Sequence, residues 1–413
     1  MIDRIKNIFA RLCIDDYLIR ELTRESLEMY FVKKALDTKR SVNTTDYTLT
    51  VYRSFTEGEC EYRGSSEVLV FPSMTDDEIE KKIADGYASA THVRAMTYPA
   101  APVVCDVRER SEESLSRLCR GYAEALYRYD TEADAFVNSA ELFCTSTYTR
   151  IITSHGIDVA YPSLEASGEI VVQCKGESDV ELFDYFRYEG EQYDALSERV
   201  RGKLNAVRDR ARATRDLPSG EYSIILSGEC VRTMLGYALF LADAKNVHTG
   251  YSDGRIADGV KAVFPDLELV PTVPYSREGI RMQERALVRD GELCTLVGGM
   301  RYATYLGAEP TGEYERIRAE SGDYPMQLLA SIPCIYIDSF SDFQFDELDG
   351  YFGGEVRLGY YYDGERVRAV TGFSVSGNIR SVGKVRYSRE RYSDYTYEGP
   401  ACMMIDGVSI AGN

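Results

Sequence analysis

Residues 224–239, IILSGECVRTMLGYAL, run from an apolar stretch into a helical pattern, with Glu229 and Cys230 at the junction. A carboxylate and a thiol at a helix start can both do chemistry. The helix dipole favours negative charge there, which would lower the thiol toward a nucleophilic thiolate. Cysteine catalysis also needs a base, and His248 is the only histidine downstream that offers one. The competing reading makes Cys230 a small apolar residue packing the helix on a sheet, the commoner fate of such a thiol.

Metal chemistry finds less support in the spacing. Helical zinc motifs place imidazole and carboxylate ligands one turn apart, so that they converge on one ion. The chain has three histidines, His92, His155 and His248, and no two lie within a helical turn. A site assembled from distant residues stays open as an alternative. The ten cysteines include no Cys-x-x-Cys pair and read as reduced thiols that mostly fill the core. The carboxylate pairs Asp76-Asp77 and Glu112-Glu113 fall at expected helix starts, where the dipole explains them without catalysis. Gly298-Gly299 has neither the lysine nor the glycine spacing of a phosphate loop and reads as a bend against another backbone. Tyr360, Tyr361, Tyr362, Tyr387, Tyr392, Tyr395 and Tyr397 fit either a peptide groove or the outer face of a sheet, the latter being the commoner place for strand tyrosines.

The elements that must position these groups divide the chain in two. Residues 2–12 form an amphipathic helix, and a second helical pattern spans roughly 24–37. A strand meander covers 44–71, followed by helices at 74–90, with Thr75 as N-cap, and at 111–130, separated by the loop TYPAAPVV. Residues 137–188 read as strands, with a hairpin-like stretch at 170–190, and 193–215 as a charge-laced helix. Beyond it the chain is strand-rich, with one helix at 229–243 and hairpin turns at Asp290-Gly291 and Asp363-Gly364. The expected class is α+β, with a mixed N-terminal domain over 1–216 and a β-rich C-terminal domain over 217–413. GFSVSGN at 372–378 and GVSIAGN at 407–413 echo one another, which turn chemistry explains as well as duplication does.

With 67 acidic and 48 basic residues the net charge is −19, so nucleic acid is a poor partner unless a local basic patch intervenes. The chain has no apolar run of about 18 residues and no secretory h-region, so membrane insertion is not expected and the location expected is cytoplasmic.

A series of short segments goes further. SHGI at 154–157, SREGI at 276–280, RALVRDGELCTLVGGMRYATYLG at 285–307, PTG at 310–312, GFSVSGN at 372–378 and the terminal GPACMMIDGVSIAGN occur in the order found in the TldD/PmbA family. This family is known also as TldD/TldE, with members described as modulators of DNA gyrase, and the chain resembles it over about 260 residues. The resemblance implies a zinc peptidase whose TldD-type subunit carries a His-Glu-x-x-x-His helix, paired with a PmbA/TldE-type subunit that lacks it. With Glu229 laid on the motif glutamate, the histidine positions fall on Gly228 and Thr233, neither of which supplies an imidazole. Cys402 lies in the terminal strand, rather than before it as the family's cysteine ligand does, and Ser276-Arg277-Glu278-Gly279 departs from the family's Asp-Asp-Glu-Gly.

The resemblance therefore implies a non-catalytic PmbA/TldE-like subunit without a cofactor of its own, the zinc belonging to a TldD-type partner in a heterodimer. Its substrate would be an unfolded peptide, held by strand addition. Glu278, Gly279, Thr311, Gly312, Gly377 and Asn378 are the motif positions expected in a groove or interface. Two alternatives are an autonomous hydrolase using Cys230 or an unrecognised metal site, and a homodimeric peptide-binding protein.

Overall fold

Long strands with period-two burial dominate the first half of the computed structural model, which describes residues 1–110, 114–175 and 179–412. Glu112-Glu113, the centre of the hairpin-like stretch at 176–178 and Asn413 lie outside the described residues. The chain opens with α1 (Ile2–Arg11), β1 (Tyr17–Val32), β2 (Ala35–Glu57), β3 (Cys60–Val70) and α2 (Asp76–Ser89). It continues through β4 (Cys105–Val107), α3 (Leu115–Tyr127), β5 (Ala135–Thr153), β6 (Asp158–Cys174), β7 (Val180–Glu189) and α4 (Tyr193–Ala211).

These strands form one sheet in the order β3-β2-β1-β5-β6, and the far edge of β6 carries parallel β4 at one end and antiparallel β7 at the other. Helices cover one face only. Ile5, Ile8, Phe9, Ile79 and Ile83 of α1 and α2 pack over Leu49, Val51 and Val68. Leu118, Tyr122, Leu196 and Val200 of α3 and α4 pack over Val137, Leu142, Ile170 and Leu182. Thr75 caps α2 as expected: its hydroxyl accepts from the Glu78 N–H, while the Glu78 carboxylate accepts from the Thr75 N–H at 2.7 Å. Asp76 pairs with Arg4, so this acidic pair has a structural use.

The helix expected near 24–37 is strand instead, formed by β1 and the start of β2. Leu27, Tyr30 and Phe31 fit a helical stripe, but Leu27, Met29 and Phe31 pack with α3 while Ser26 and Tyr30 donate to the Glu28 carboxylate. Pairing on both edges, with β2 and β5, overrides the helical propensity of Leu, Glu and Met.

The second half holds β8 (Gly220–Ser227), α5 (Gly228–Ala242), α6 (Ala244–Thr249), β9 (Leu267–Val270), β10 (Arg285–Arg289), β11 (Glu292–Leu293), α7 (Met300–Tyr305), β12 (Arg316–Ala319) and α8 (Met326–Leu329). Then come β13 (Cys334–Phe345), β14 (Tyr351–Tyr362), β15 (Val367–Val370), β16 (Phe373–Asn378), β17 (Val385–Tyr387), β18 (Arg391–Ser393), β19 (Tyr397–Pro400) and β20 (Cys402–Ala411). One sheet runs β13-β8-β20-β16-β14 and closes where β14 returns to pair with β13; a second runs β11-β10-β9-β12-β19-β18. Helix α5 contacts strands of both, and Val231, Met234, Leu235, Ala238 and Ala242 sink into their shared core. The spacing of these residues gives an apolar stripe wide enough to bury most of the helix.

The expected single long helix is α5, α7 is the small helix that the resemblance implies at the end of the 285–307 segment, and the short α6 and α8 escaped the sequence reading because one or two turns carry too little periodicity. Asp290-Gly291 turns with φ of 50° and 73°, as a two-residue hairpin between antiparallel strands requires. Asp363 also turns a hairpin, its carboxylate accepting from the N–H groups of Glu365 and Arg366. The two echo segments pair antiparallel as neighbours, Ser374 opposite Ala411 and Ser376 opposite Ser409. Among the described residues no helix is long and apolar enough to cross a membrane.

Candidate functional site

Helix α5 begins directly where β8 ends, which delivers Glu229 and Thr233 to a cleft between the N-terminal sheet and the C-terminal region, with Gly228 buried behind them. Tyr185, Arg187 and Arg199 line the near wall, and Glu229, Arg232, Thr233, Asp394, Tyr395 and Thr396 the far wall, of a cavity of about 370 Å³.

Gly228 is buried, and a Cβ placed there would lie 2.3 Å from Cδ1 of Tyr392. The tyrosine ring fills the space that a side chain at this position would need. Glu229 forms an ion pair with Arg199, which also makes a two-pronged pair with Asp184 at 2.7 and 2.8 Å and donates to the Tyr392 hydroxyl at 3.1 Å. The Thr233 hydroxyl donates to the Glu229 carbonyl within the helix at 3.1 Å. Burial raises the Tyr392 hydroxyl above its ordinary pKa, so it stays a neutral phenol. A guanidinium and an aromatic ring thus occupy the surroundings of the motif glutamate. The residues here do not fit a zinc ion: one position has no ligand atom, the next neighbour is cationic, and the threonine oxygen is engaged with the backbone.

Cys230 packs against the core of the C-terminal region, and burial, followed by the charge of Glu229, pushes its thiol well above its usual pKa. That is the opposite of an activated nucleophile. No ion pair or hydrogen bond joins it to His248, whose ring lies among Tyr302 and Tyr305. Cys402 stands opposite Ser227 in register, so the fold does bring it beside the start of α5. Its Sγ, however, contacts Met326 at 3.2 Å in a cluster with Ile225 and Leu329, and burial pushes it up to about 12. His155 accompanies Asp16 at 3.0 Å in a network with Arg63. Among the described residues no three His, Cys, Asp or Glu side chains are grouped as metal ligands.

Four of the motif positions come together in one knot. The Glu278 carboxylate accepts from the Met300 N–H at 2.7 Å, against Gly299, where a Cβ would meet it at 2.4 Å. The Thr311 hydroxyl accepts from the Gly298 N–H at 3.1 Å, and the N–H groups of Thr311 and Gly312 both donate to the Gly298 carbonyl. Gly298-Gly299 is therefore the close backbone approach expected. Gly279 and Gly312 have φ of 82° and 78°, and a Cβ on either would strike Ile157 or Met282. The knot joins the two halves: Ile280 and Met300 pack with Ala95 and Tyr98, and Tyr305 donates to the Met96 carbonyl at 2.6 Å. Burial raises the Glu278 carboxyl above its usual range.

Gly377 and Asn378 are elsewhere, in a separate open concavity with Asp349, Tyr351 and Arg380. Three of the tyrosines do not form an outer sheet face: Tyr397 is fully buried, Tyr392 packs on Gly228, and Tyr395 lies in the cleft under the Arg187 guanidinium at 3.6 Å, while Tyr360, Tyr361 and Tyr362 are half-buried strand residues of β14. Sequence reasoning missed Arg199 and Asp184, because each reaches the motif helix from a distant element and no local spacing marks it; it named Tyr392 as a groove or sheet-face residue but not as the ring against Gly228.

With this geometry in view, comparison with known proteins is informative. Residues 219–412 match the PmbA/TldA metallopeptidase C-terminal domain. A metalloprotease of Methanothermobacter thermautotrophicus is 28% identical over 193 residues, 39% of this chain and 41% of that one. A metalloprotease of Archaeoglobus fulgidus is 26% identical over 220 residues, 46% of this chain and 50% of its own. The match thus spans about half the length of these relatives or less. Two solved structures share the fold across the whole chain. A protein described as a candidate modulator of a DNA gyrase from Thermotoga maritima has a TM-score of 0.77 at 13% identity, with 100% of each chain covered. TldE from Thermococcus kodakarensis has 0.75 at 14%, with 99% of this chain and 100% of that one covered. Residues 219–412 therefore belong to the PmbA/TldD metallopeptidase family as its C-terminal domain.

Proposed function

We propose that the chain is a PmbA/TldE-like subunit without zinc chemistry of its own, completing a cytoplasmic metalloprotease with a TldD-type catalytic subunit that acts on unfolded peptides. The observation that carries this reading is the state of the motif helix: the Tyr392 ring against Gly228 and the Arg199 guanidinium on Glu229, where the active type holds a metal. The name TldE for a structure of the same fold supports it. In this reading residues 1–216 and 217–413 are two domains joined by the knot of Glu278, Gly279, Thr311 and Gly312, and the cleft between them walls part of the peptide chamber. Gly377 and Asn378 are our candidates for the subunit interface.

The test is recovery of the protein from its native cell. A co-purifying subunit with an intact His-Glu-x-x-x-His helix, zinc in that subunit alone, and peptide hydrolysis only by the pair are expected. Zinc bound stoichiometrically by this chain alone, or hydrolysis by it that Cys230→Ala abolishes, would overturn the proposal.

A further inference from the structure

A second cavity, of about 360 Å³, lies further along the same cleft, between the face of the N-terminal sheet away from its helices and the loops at 272–277 and 313–315. Such a volume is that of a small-ligand site. Its lining joins two arginines from distant parts of the chain. Arg20 projects from β1 on the face opposite the helices, in register with Ile151 of β5, and Arg277 comes from the loop leading into the knot. Neither makes an ion pair or a side-chain hydrogen bond within the described residues. Neighbouring arginines do: Arg187 pairs with Glu165 at 2.8 Å, Arg316 with Glu189 at 3.4 Å and Arg318 with Glu284 at 3.1 Å. These cleft-wall guanidiniums are neutralised internally, and Arg232 in the first cavity donates to the Glu315 carbonyl, whereas Arg20 and Arg277 have neither kind of partner among the described residues.

Opposite charge is present at the rim. Glu315 accepts from the Thr272 hydroxyl at 3.2 Å and lies 3.8 Å from Arg187, so it is engaged; Glu313 and Arg277 are both exposed to solvent that screens them, which leaves the half-buried Arg20 as the less screened charge of the cavity. The remaining lining is mixed, with Leu22 and Val273 beside Thr149 and Tyr161. This combination suits a planar anion carried on a short apolar stem, and a guanidinium matches a carboxylate in shape as well as charge.

We infer that this cavity binds the C-terminal carboxylate of a peptide lying in the cleft, with Arg20 and Arg277 as its two anchors. The inference rests on the peptide-holding reading above. Continuity supports it: Thr272 and Glu315 connect the cavity to Arg187, which stacks on Tyr395 beside Glu229 and Thr233. A chain passing the motif helix can end where the free guanidiniums are.

The test compares a fluorescent oligoalanine peptide ending in a free carboxylate with its carboxamide, by anisotropy on the whole protein. Tighter binding of the acid by about tenfold or more is expected for a charge-assisted contact. Arg20→Met and Arg277→Met each abolish this preference without changing carboxamide affinity. Arg24→Met, on the same sheet face but outside the cavity, preserves it. Equal binding of acid and amide by the wild-type protein overturns the carboxylate site and leaves the peptide reading standing. If neither peptide binds, the peptide reading fails, and saturation-transfer NMR with N-acetylalanine decides the site alone. A signal lost in the Arg20→Met/Arg277→Met double variant supports it, and absence of signal with the wild-type protein overturns it.

Discussion

Replacing Arg199 by methionine removes one cation but three interactions, and the structure indicates which of them matters. Asp184 is the buried member, its side chain 6% exposed, whereas the Glu229 side chain is 59% exposed. A solvent-exposed pair contributes about 0–1 kcal/mol, while stripping the partner from a buried charge costs about 3–5 kcal/mol. Arg199→Met should therefore destabilise by about 3–5 kcal/mol, and Glu229→Gln by less than about 1 kcal/mol. Adding Asp184→Asn to Arg199→Met removes the orphaned charge, so the double variant should be less damaged than the single effects sum to, by at least about 2 kcal/mol. Urea unfolding followed by tyrosine emission and circular dichroism measures this, the chain having no tryptophan to complicate the emission. If Arg199→Met costs no more than Glu229→Gln, or the single effects add within about 0.5 kcal/mol, the clamp is not what holds this corner together.

Four further outcomes follow from the same geometry. Gly228→His with Thr233→His should take up no zinc by elemental analysis, because the Tyr392 ring stands at the first position; uptake comparable to a metalloprotease would show that the ring yields easily. Gly312→Ala should cost more than Gly407→Ala: both have φ above 70°, about 1–2 kcal/mol for an L residue, but only position 312 also drives a Cβ into Met282 and Ser276. Denaturation midpoints that coincide would contradict it. Because burial raises the folded-state pKa of Glu278, the folded protein holds that proton more tightly than the unfolded chain. Stability from this group is then greatest below its unfolded pKa and declines as pH rises through the raised one, so Glu278→Gln should gain on wild type as pH rises from about 4 to 7; a flat difference would refute this. Iodoacetamide at neutral pH should modify Cys13, Cys60, Cys105 and Cys294 and spare Cys230 and Cys402, as peptide mass mapping would reveal; fast labelling of Cys230 would revive it as a nucleophile.

Much of the fold was legible where a residue's own chemistry dictates the backbone. The Thr75 cap and the Asp290-Gly291 turn are set by side-chain hydrogen bonding and positive φ, which sequence displays directly. β1 was not legible, since Leu27, Tyr30 and Phe31 satisfy a helical period and only β2 and β5 on either edge decide otherwise. At the site, Gly228 and Thr233 announce missing ligands, but what replaces them does not show. Arg199 reads as one charge among many in α4, and its capture of both Asp184 and Glu229 exists only once that helix is docked. The cavity between Arg20 and Arg277 is likewise a product of tertiary assembly.

The position of β20 bears on how the molecule is made. It lies between β8 and β16, at the middle of the closed sheet, yet it leaves the ribosome after all the other strands of that sheet. Until residues 402–411 emerge, β8 and β16 present two unsatisfied edges, and the core around Met403 and Ile405 lacks one wall. The N-terminal sheet can pair fully during synthesis, whereas the C-terminal half must wait as an open template, prone to borrow a strand from another molecule. Nascent chains arrested before residue 402 should therefore be the species that chaperones hold.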